Sequence, residues 1–206
     1  MKSPAYNRFI KSMHIGFHEW HDGIPYDLEA LEQFEPQELK EIERLLISRK
    51  NKDWRDTEAL AKLGTTAAIA AIEKSLHGSN REVRLAAGEY LYSVGRLLDL
   101  SEIIVEALKN GTLRNGLGKA EHFATKYPSK QVEEALISGA LHSSDGRAVR
   151  FAALLYYLHG VGKEPFDLNH QPLFLRFHTK NQDERRLAFE ELCRIIGVDS
   201  RKWLDA

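Results

Sequence analysis

The 206-residue chain balances 29 Lys plus Arg against 30 Asp plus Glu, for a formal net charge of −1, so no overall field draws it to a polyanion. Nucleic acid is therefore not an expected partner; only a local basic stripe would bring it. A composition 43% apolar and 29% charged excludes a disordered chain, and the single Cys193 excludes an internal disulfide and points to a reducing compartment.

In chain order, Met1 to Arg8 lack the apolar run of a signal peptide, and no later stretch approaches a membrane span. A cytoplasmic protein with no membrane partner is expected. Residues before Gln33 follow no repeat and are expected to form an N-terminal helical cap, anchored by Phe17, Trp20 and Ile24. Pro36 suits a first helical position, and Leu39, Ile42, Leu45 and Leu46 at 3-and-4 spacing predict a helix over 36–49. Asp53 is placed to cap a helix over 54–63 that Gly64 stops. Thr65-Thr66 opens a helix running to about Leu76, and Asn80 caps the next, which ends at Gly95. A second pair is predicted over 101–110, with Ser101 as cap, and 113–126, before Pro128. A third pair covers 129–142 and 146–160, with Ser144 and Asp145 in the turn. The fourth runs from Pro172 to Phe177 and from Asp183 to Ile196, ended by Gly197. No alternating run makes a strand.

The segment Val83-Arg84-Leu85-Ala86-Ala87 recurs 66 positions later as Val149-Arg150-Phe151-Ala152-Ala153, in the same frame of Leu-His, polar turn, tyrosine and glycine. A weaker copy is Arg186-Leu187-Ala188-Phe189. A period of twice 33 predicts stacked helix pairs over 64–95, 97–127, 129–161 and 165–197, because one pair alone would leave its apolar stripe exposed. The chain is thus expected to be all-α and one domain over 1–206: a cap and first helices over 1–63, repeats over 64–197, and a tail over 198–206.

An apolar first helix, a short Asp/Asn turn and Val-Arg-x-Ala-Ala resemble HEAT-like repeats, including those of phycobilisome-lyase-type proteins. The resemblance covers about 64–197 and implies a right-handed α-solenoid of about four helix pairs. The second unit departs from the pattern, with Gly116-Leu117-Gly118 near the Val-Arg position, and the third inserts a residue in its turn. The resemblance also implies that Arg84 and Arg150 brace adjacent units through the turn residues Asn80 and Asp145, rather than binding an anion.

Few residues carry chemistry of their own. His14, His18 and His21 fall at i, i+4 and i+7, a face able to bind zinc if the stretch is helical; the alternative is a set of solvated histidines on the cap. Trp54-Arg55-Asp56, beside Arg49, Lys50 and Lys52, is either a partner hot spot or a Trp packed over a helix start. These residue types also feature in HEAT-like DNA glycosylases, but consecutive positions on one helix lie about 100° apart and do not converge on one pocket. Phe151 to Leu158 is apolar all round, a central helix or an interface, with Tyr90, Tyr92, Tyr156 and Tyr157 available to a concave side. Gly-rich 111–118 follows no strand and lacks Gly-Lys-Ser/Thr, and Cys193 sits in an apolar helix as core.

The expected function is accordingly a non-catalytic protein-binding module with no cofactor. Similarity to small bacterial HEAT-like immunity proteins implies an inhibitor or adaptor that occludes a protein partner such as a toxin or effector. The expected contact residues are Trp20, Trp54, Arg55, Tyr92, Arg96, His122, Tyr157 and His159. The alternatives are a HEAT-like DNA glycosylase, which needs a basic concave stripe, and a phycobilisome-lyase-like chaperone.

Overall fold

Side-chain caps and prolines fix where the helices begin in this computed structural model, which describes residues 2–49, 52–143 and 145–204. Ser3 accepts from the Tyr6 amide at the start of α1 (Pro4–Ser12), and α2 (Phe17–His21) is a short helix opened by Gly16. A 3-10 segment (Leu28–Gln33) leads to α3 (Pro36–Ser48). Then come α4 (Trp54–Leu63), α5 (Thr66–Ser75) and α6 (Arg81–Ser93), capped by Asp53, Thr65 and Asn80. The later helices are α7 (Ser101–Asn110), α8 (Leu117–Lys126), α9 (Lys130–His142), α10 (Arg147–Leu158), α11 (Gln171–Leu175), α12 (Gln182–Ile196) and α13 (Arg201–Leu204). Among the described residues there is no strand, only isolated bridges from Thr112 to Asn115 and Gly116. The chain is all-helical.

Two predicted starts are corrected. Ser101 is the first residue of α7 rather than its cap: Leu100 holds that position with helical dihedrals, and the Ser101 hydroxyl donates to Ser129 Oγ at 2.7 Å. The helix expected from 113 begins only at Leu117, because Gly116 takes φ 85°, a left-handed value that an α-helix cannot contain. Residues 112–115 are instead a tight turn closed by Asn115 N–H donating to the Thr112 carbonyl at 2.9 Å.

The chain divides into two compact units, one ending at Asp99 and the other starting at Leu100. In the first, α4 packs on α3, α5 and α6, while α1 lies on the 3-10 segment. Its core joins Phe9, Tyr26, Leu31 and Phe34 of the N-terminal region to Ile42, Leu46, Leu60, Ile72 and Leu91. The N-terminal region therefore shares a core with the helices that follow. In the second unit, α7 packs on α8 and α9, α9 on α10, and α11 and α12 both pack on α10. Phe151 to Tyr156 are all buried, as expected for a central helix. Tyr156, predicted to line a surface, is only 4% exposed, with its ring on Phe174 at 5.4 Å. The approach of α9 to α10 depends on Gly139, where an added Cβ would lie 2.3 Å from the Phe151 ring.

The repeated arginine stands four positions after the N-cap in three helices: Arg84 after Asn80, Arg150 after Gly146, and Arg185 after Asn181. The motif's third copy thus sits on Arg185, not Arg186, which is exposed and paired with Glu190 on its own helix. Arg150 reaches Glu121 of α8, with Nε donating at 2.7 Å, and does not reach Asp145. Asp145 is taken instead by Arg147, two residues on, at 2.9 Å. Arg185 donates to the Ser143 carbonyl at the end of α9, at 2.6 Å, so Arg150 and Arg185 each join helices remote in sequence. Lys50, Ser144 and the last two residues of the predicted tail lie outside the described residues.

Candidate functional site

In the first unit the site is built from the start of α4. Asp53 caps the helix, accepting from the Arg55 amide at 2.9 Å, and the two side chains that follow Trp54 turn inward. Arg55 is fully buried. Its guanidinium donates to the Glu19 carbonyl at 2.9 Å, to the Ile24 carbonyl and to both Asp53 oxygens at 3.1 and 3.2 Å. The half-buried Trp54 ring lies 4.4 Å from the same guanidinium, a cation–π contact. The expectation that Arg55 is a surface contact is therefore overturned. A buried guanidinium needs its donors filled, and α2 with the loop behind it fills them.

Beside it lies a second buried polar cluster. Asp56 is fully buried; its Oδ1 accepts from Arg49 Nη1 at 2.6 Å and from the Tyr26 hydroxyl at 3.1 Å, and its Oδ2 from the Asp53 amide at 2.8 Å. Burial holds the Asp56 carboxyl above its ordinary range despite these bonds, and burial with the neighbouring Asp56 charge pushes the Tyr26 phenol to about 12. Arg49 is thus one arm of an internal network. The local sequence pattern carries no signal for it, since Tyr26 and Asp56 are 30 residues apart.

What Arg55 holds is a protruding aromatic knuckle. Phe17 is 70% exposed, Trp20 44% and Ile24 45%, so these residues do not anchor the cap; Phe9, Tyr26, Leu31 and Phe34 do. The Phe17 ring stands 6.3 Å from Trp20, 5.8 Å from His21 and 5.9 Å from His18, forming one cluster. Glu19 closes the helix start by accepting from the Gly16 amide at 3.0 Å, and the Ile24 amide donates to the Glu19 carbonyl at 2.9 Å. A short helix that would be unstable alone is thereby fixed from both ends.

The three histidines do not share a helix face. His14 precedes the extended Gly16 and lies 3.0 Å from the Ile10 carbonyl, while His21 pairs with Asp22 at 2.8 Å. No group of three His, Cys, Asp or Glu able to hold a metal ion occurs among the described residues. Elsewhere in this unit Tyr92 is 42% exposed, and Arg96 pairs with Glu73 at 2.7 Å.

In the second unit, His122 and Thr125 of α8 face Val149, Arg150 and Leu154 of α10 and Phe166 across a cavity of about 510 Å³. The Glu121–Arg150 pair crosses its lining, and the hydrogen bond that Arg150 donates to the Glu121 carboxylate raises its guanidinium above the ordinary range. Tyr157 and His159 do not line this cavity; Tyr157 is half-buried, and His159 pairs with Glu133 at 3.1 Å. The predicted contact residues therefore fall into separate groups. Cys193 is 1% exposed, and burial pushes its thiol to about 11, the state of a core side chain rather than a nucleophile.

No family model, curated protein or solved structure matches this chain. The assignment of function therefore rests on its own residues. No helix among the described residues is long and apolar enough to cross a membrane.

Proposed function

We propose that this protein is a non-catalytic protein-binding module whose contact surface is the aromatic knuckle of α2. The observation that carries this reading is the pairing of exposed Phe17 and Trp20 with a fully buried arginine that fixes the backbone beneath them. Large aromatics exposed as a cluster mark interaction surfaces, and Trp is among the commonest interface anchors. Holding them rigid lowers the ordering cost of binding. Trp54, stacked on Arg55, belongs to the support rather than the contact.

The surrounding architecture is a HEAT-like stack of about four helix pairs with a cap over 1–63. Support comes from the packing of α5 on α6, α7 on α8 and α9 on α10, and from the arginine four residues after the cap. The partner is a cytosolic protein of the toxin or effector kind, held by occlusion as an immunity-type inhibitor would hold it; this narrower reading rests on the resemblance alone.

The test is affinity capture from native lysate with the wild-type chain and with Phe17→Ala/Trp20→Ala, each with and without nuclease. One stoichiometric protein partner is expected with the wild type and is lost with the variant, whose thermal midpoint stays at the wild-type value. Recovery of nucleic acid alone, or equal capture by both chains, overturns the proposal.

A further inference from the structure

A cavity of about 850 Å³ opens in the first unit between the end of α3, the face of α5 and the turn before α6. Ile47, Ala70, Ala71 and Val83 floor it, and its charged lining residues are Arg49, Lys52 and Lys74, with no carboxylate among them. The three cations are not equivalent. Arg49 spends Nη1 on Asp56 and Tyr26, so its charge is already matched. Neither Lys52 nor Lys74 has a carboxylate partner among the described residues, and Lys52 is half-buried. Burial lowers the Lys52 ammonium below its ordinary range; the Asp56 charge opposes this in part, and the like charge of Lys74 adds to it. Two other lysines of this unit are matched: Lys62 pairs with Glu32 and Lys2 with Glu41.

We propose that this cavity is a phosphate-binding site, in which Lys52 and Lys74 together take the dianion of a phosphomonoester. The chemistry selects phosphate over carboxylate. Carboxylates are best held by the planar fork of arginine, and here part of that fork is committed to Asp56. What remains is two compact point charges, which match a doubly charged group with several acceptor oxygens. The apolar floor leaves room for a body attached to the phosphate, either a small molecule or a phosphorylated side chain. The site is independent of the α2 knuckle, so either reading can fail alone.

The test uses the full chain at pH 7.5 and low ionic strength, with inorganic phosphate, N-acetyl-phosphoserine amide and a nucleoside 5′-monophosphate as phosphate probes. N-acetyl-aspartate amide is the monoanionic control. Shift changes in the amide NMR spectrum are expected to localise at Lys52, Lys74, Ser79 and Asn80. The phosphate probes should bind at least tenfold more tightly than the aspartate control, and the tighter organic probe names the source. Lys52→Gln/Lys74→Gln should lose at least tenfold in affinity, whereas Lys62→Gln, at the ion pair with Glu32, should lose none. Equal binding by the double variant, or shifts spread over all surface lysines, overturns the site. If the double variant does not fold, the single variants Lys52→Gln and Lys74→Gln serve. Each is expected to weaken binding by about threefold or more, and unchanged affinity in both overturns the proposal.

Discussion

Arg55→Ala probes the link between the core of the first unit and the surface it displays. The substitution removes donors from the Glu19 and Ile24 carbonyls and from the Asp53 carboxylate, and it strips the Trp54 ring of its cation. A hydrogen bond to a charged group contributes about 1.5–3 kcal/mol, and breaking a buried ion pair by removing one partner costs about 3–5 kcal/mol. These contributions share one guanidinium and do not add, so the expected cost is about 3–5 kcal/mol. That is a large share of the roughly 5–15 kcal/mol that holds a typical domain together. The loss should be felt first at α2, whose backbone carbonyls lose their donor. Amide hydrogen exchange at Asp22 and Ile24, bonded to His18 and Glu19, reads it directly. Exchange there should quicken at least tenfold, which is about 1.4 kcal/mol of opening free energy. Arg55→Lys keeps the charge but loses the fork, and should fall between the two. Wild-type exchange at both amides in Arg55→Ala, with a change in unfolding free energy under about 1 kcal/mol, would falsify the view that Arg55 pins the knuckle.

Three further outcomes follow from packing and ionisation. Gly139→Ala forces a methyl into the Phe151 ring and should cost about 1–3 kcal/mol in urea unfolding; partial rescue by Phe151→Leu would tie the cost to that contact, and a neutral result would refute it. The Glu38 carboxylate accepts from the Ser3 amide at 2.7 Å and the Ser3 hydroxyl at 2.8 Å, and the backbone bond to Ser3 is the leading cause that holds it below the ordinary 4.5. A lowered carboxyl stabilises the fold above its unfolded value and ceases to as pH falls through its folded value. Protease resistance of residues 3–12 should therefore be full above pH 4.5 and decline below it, whereas Glu38→Gln should show no such step. Cys193, with its thiol at about 11, should resist a thiol reagent at pH 8 and react fully once the chain is unfolded in denaturant; rapid native-state labelling would place it outside the core.

Much of the helical framework was legible because its signals are local. Asp53 and Asn80 each cap the helix the sequence assigns to them, Thr65 opens the helix expected there, and Gly64 and Gly197 end theirs in the left-handed conformation. A cap needs only the amides two or three residues ahead, so sequence spacing contains the interaction. Where the local signal misled, a backbone conformation was responsible: Gly116 turned left-handed and moved the start of α8, and Leu100 entered α7 without a side-chain cap.

The candidate site was legible only as residue types. Trp20 and Trp54-Arg55 drew notice because Trp and Arg dominate interfaces, but composition does not tell which of them faces water. Arg55 went inside because Glu19, Ile24 and Asp53 converge on it, and Trp20 stayed outside because Phe9 and Tyr26 fill the core beneath the cap. Likewise, the repeated arginine was evident in the sequence, while its partner was not: Arg150 chose Glu121, 29 residues away, over the nearby Asp145. Most helix positions, the caps at Asp53 and Asn80 and the apolar character of α10 were determined by the sequence alone, since each depends on neighbours within a turn or two. The burial of Arg55 and Asp56, the exposure of Phe17 and the pairing of lysines or arginines were decided by tertiary structure. They depend on which distant carbonyl, carboxylate or ring arrives to satisfy a group taken out of water.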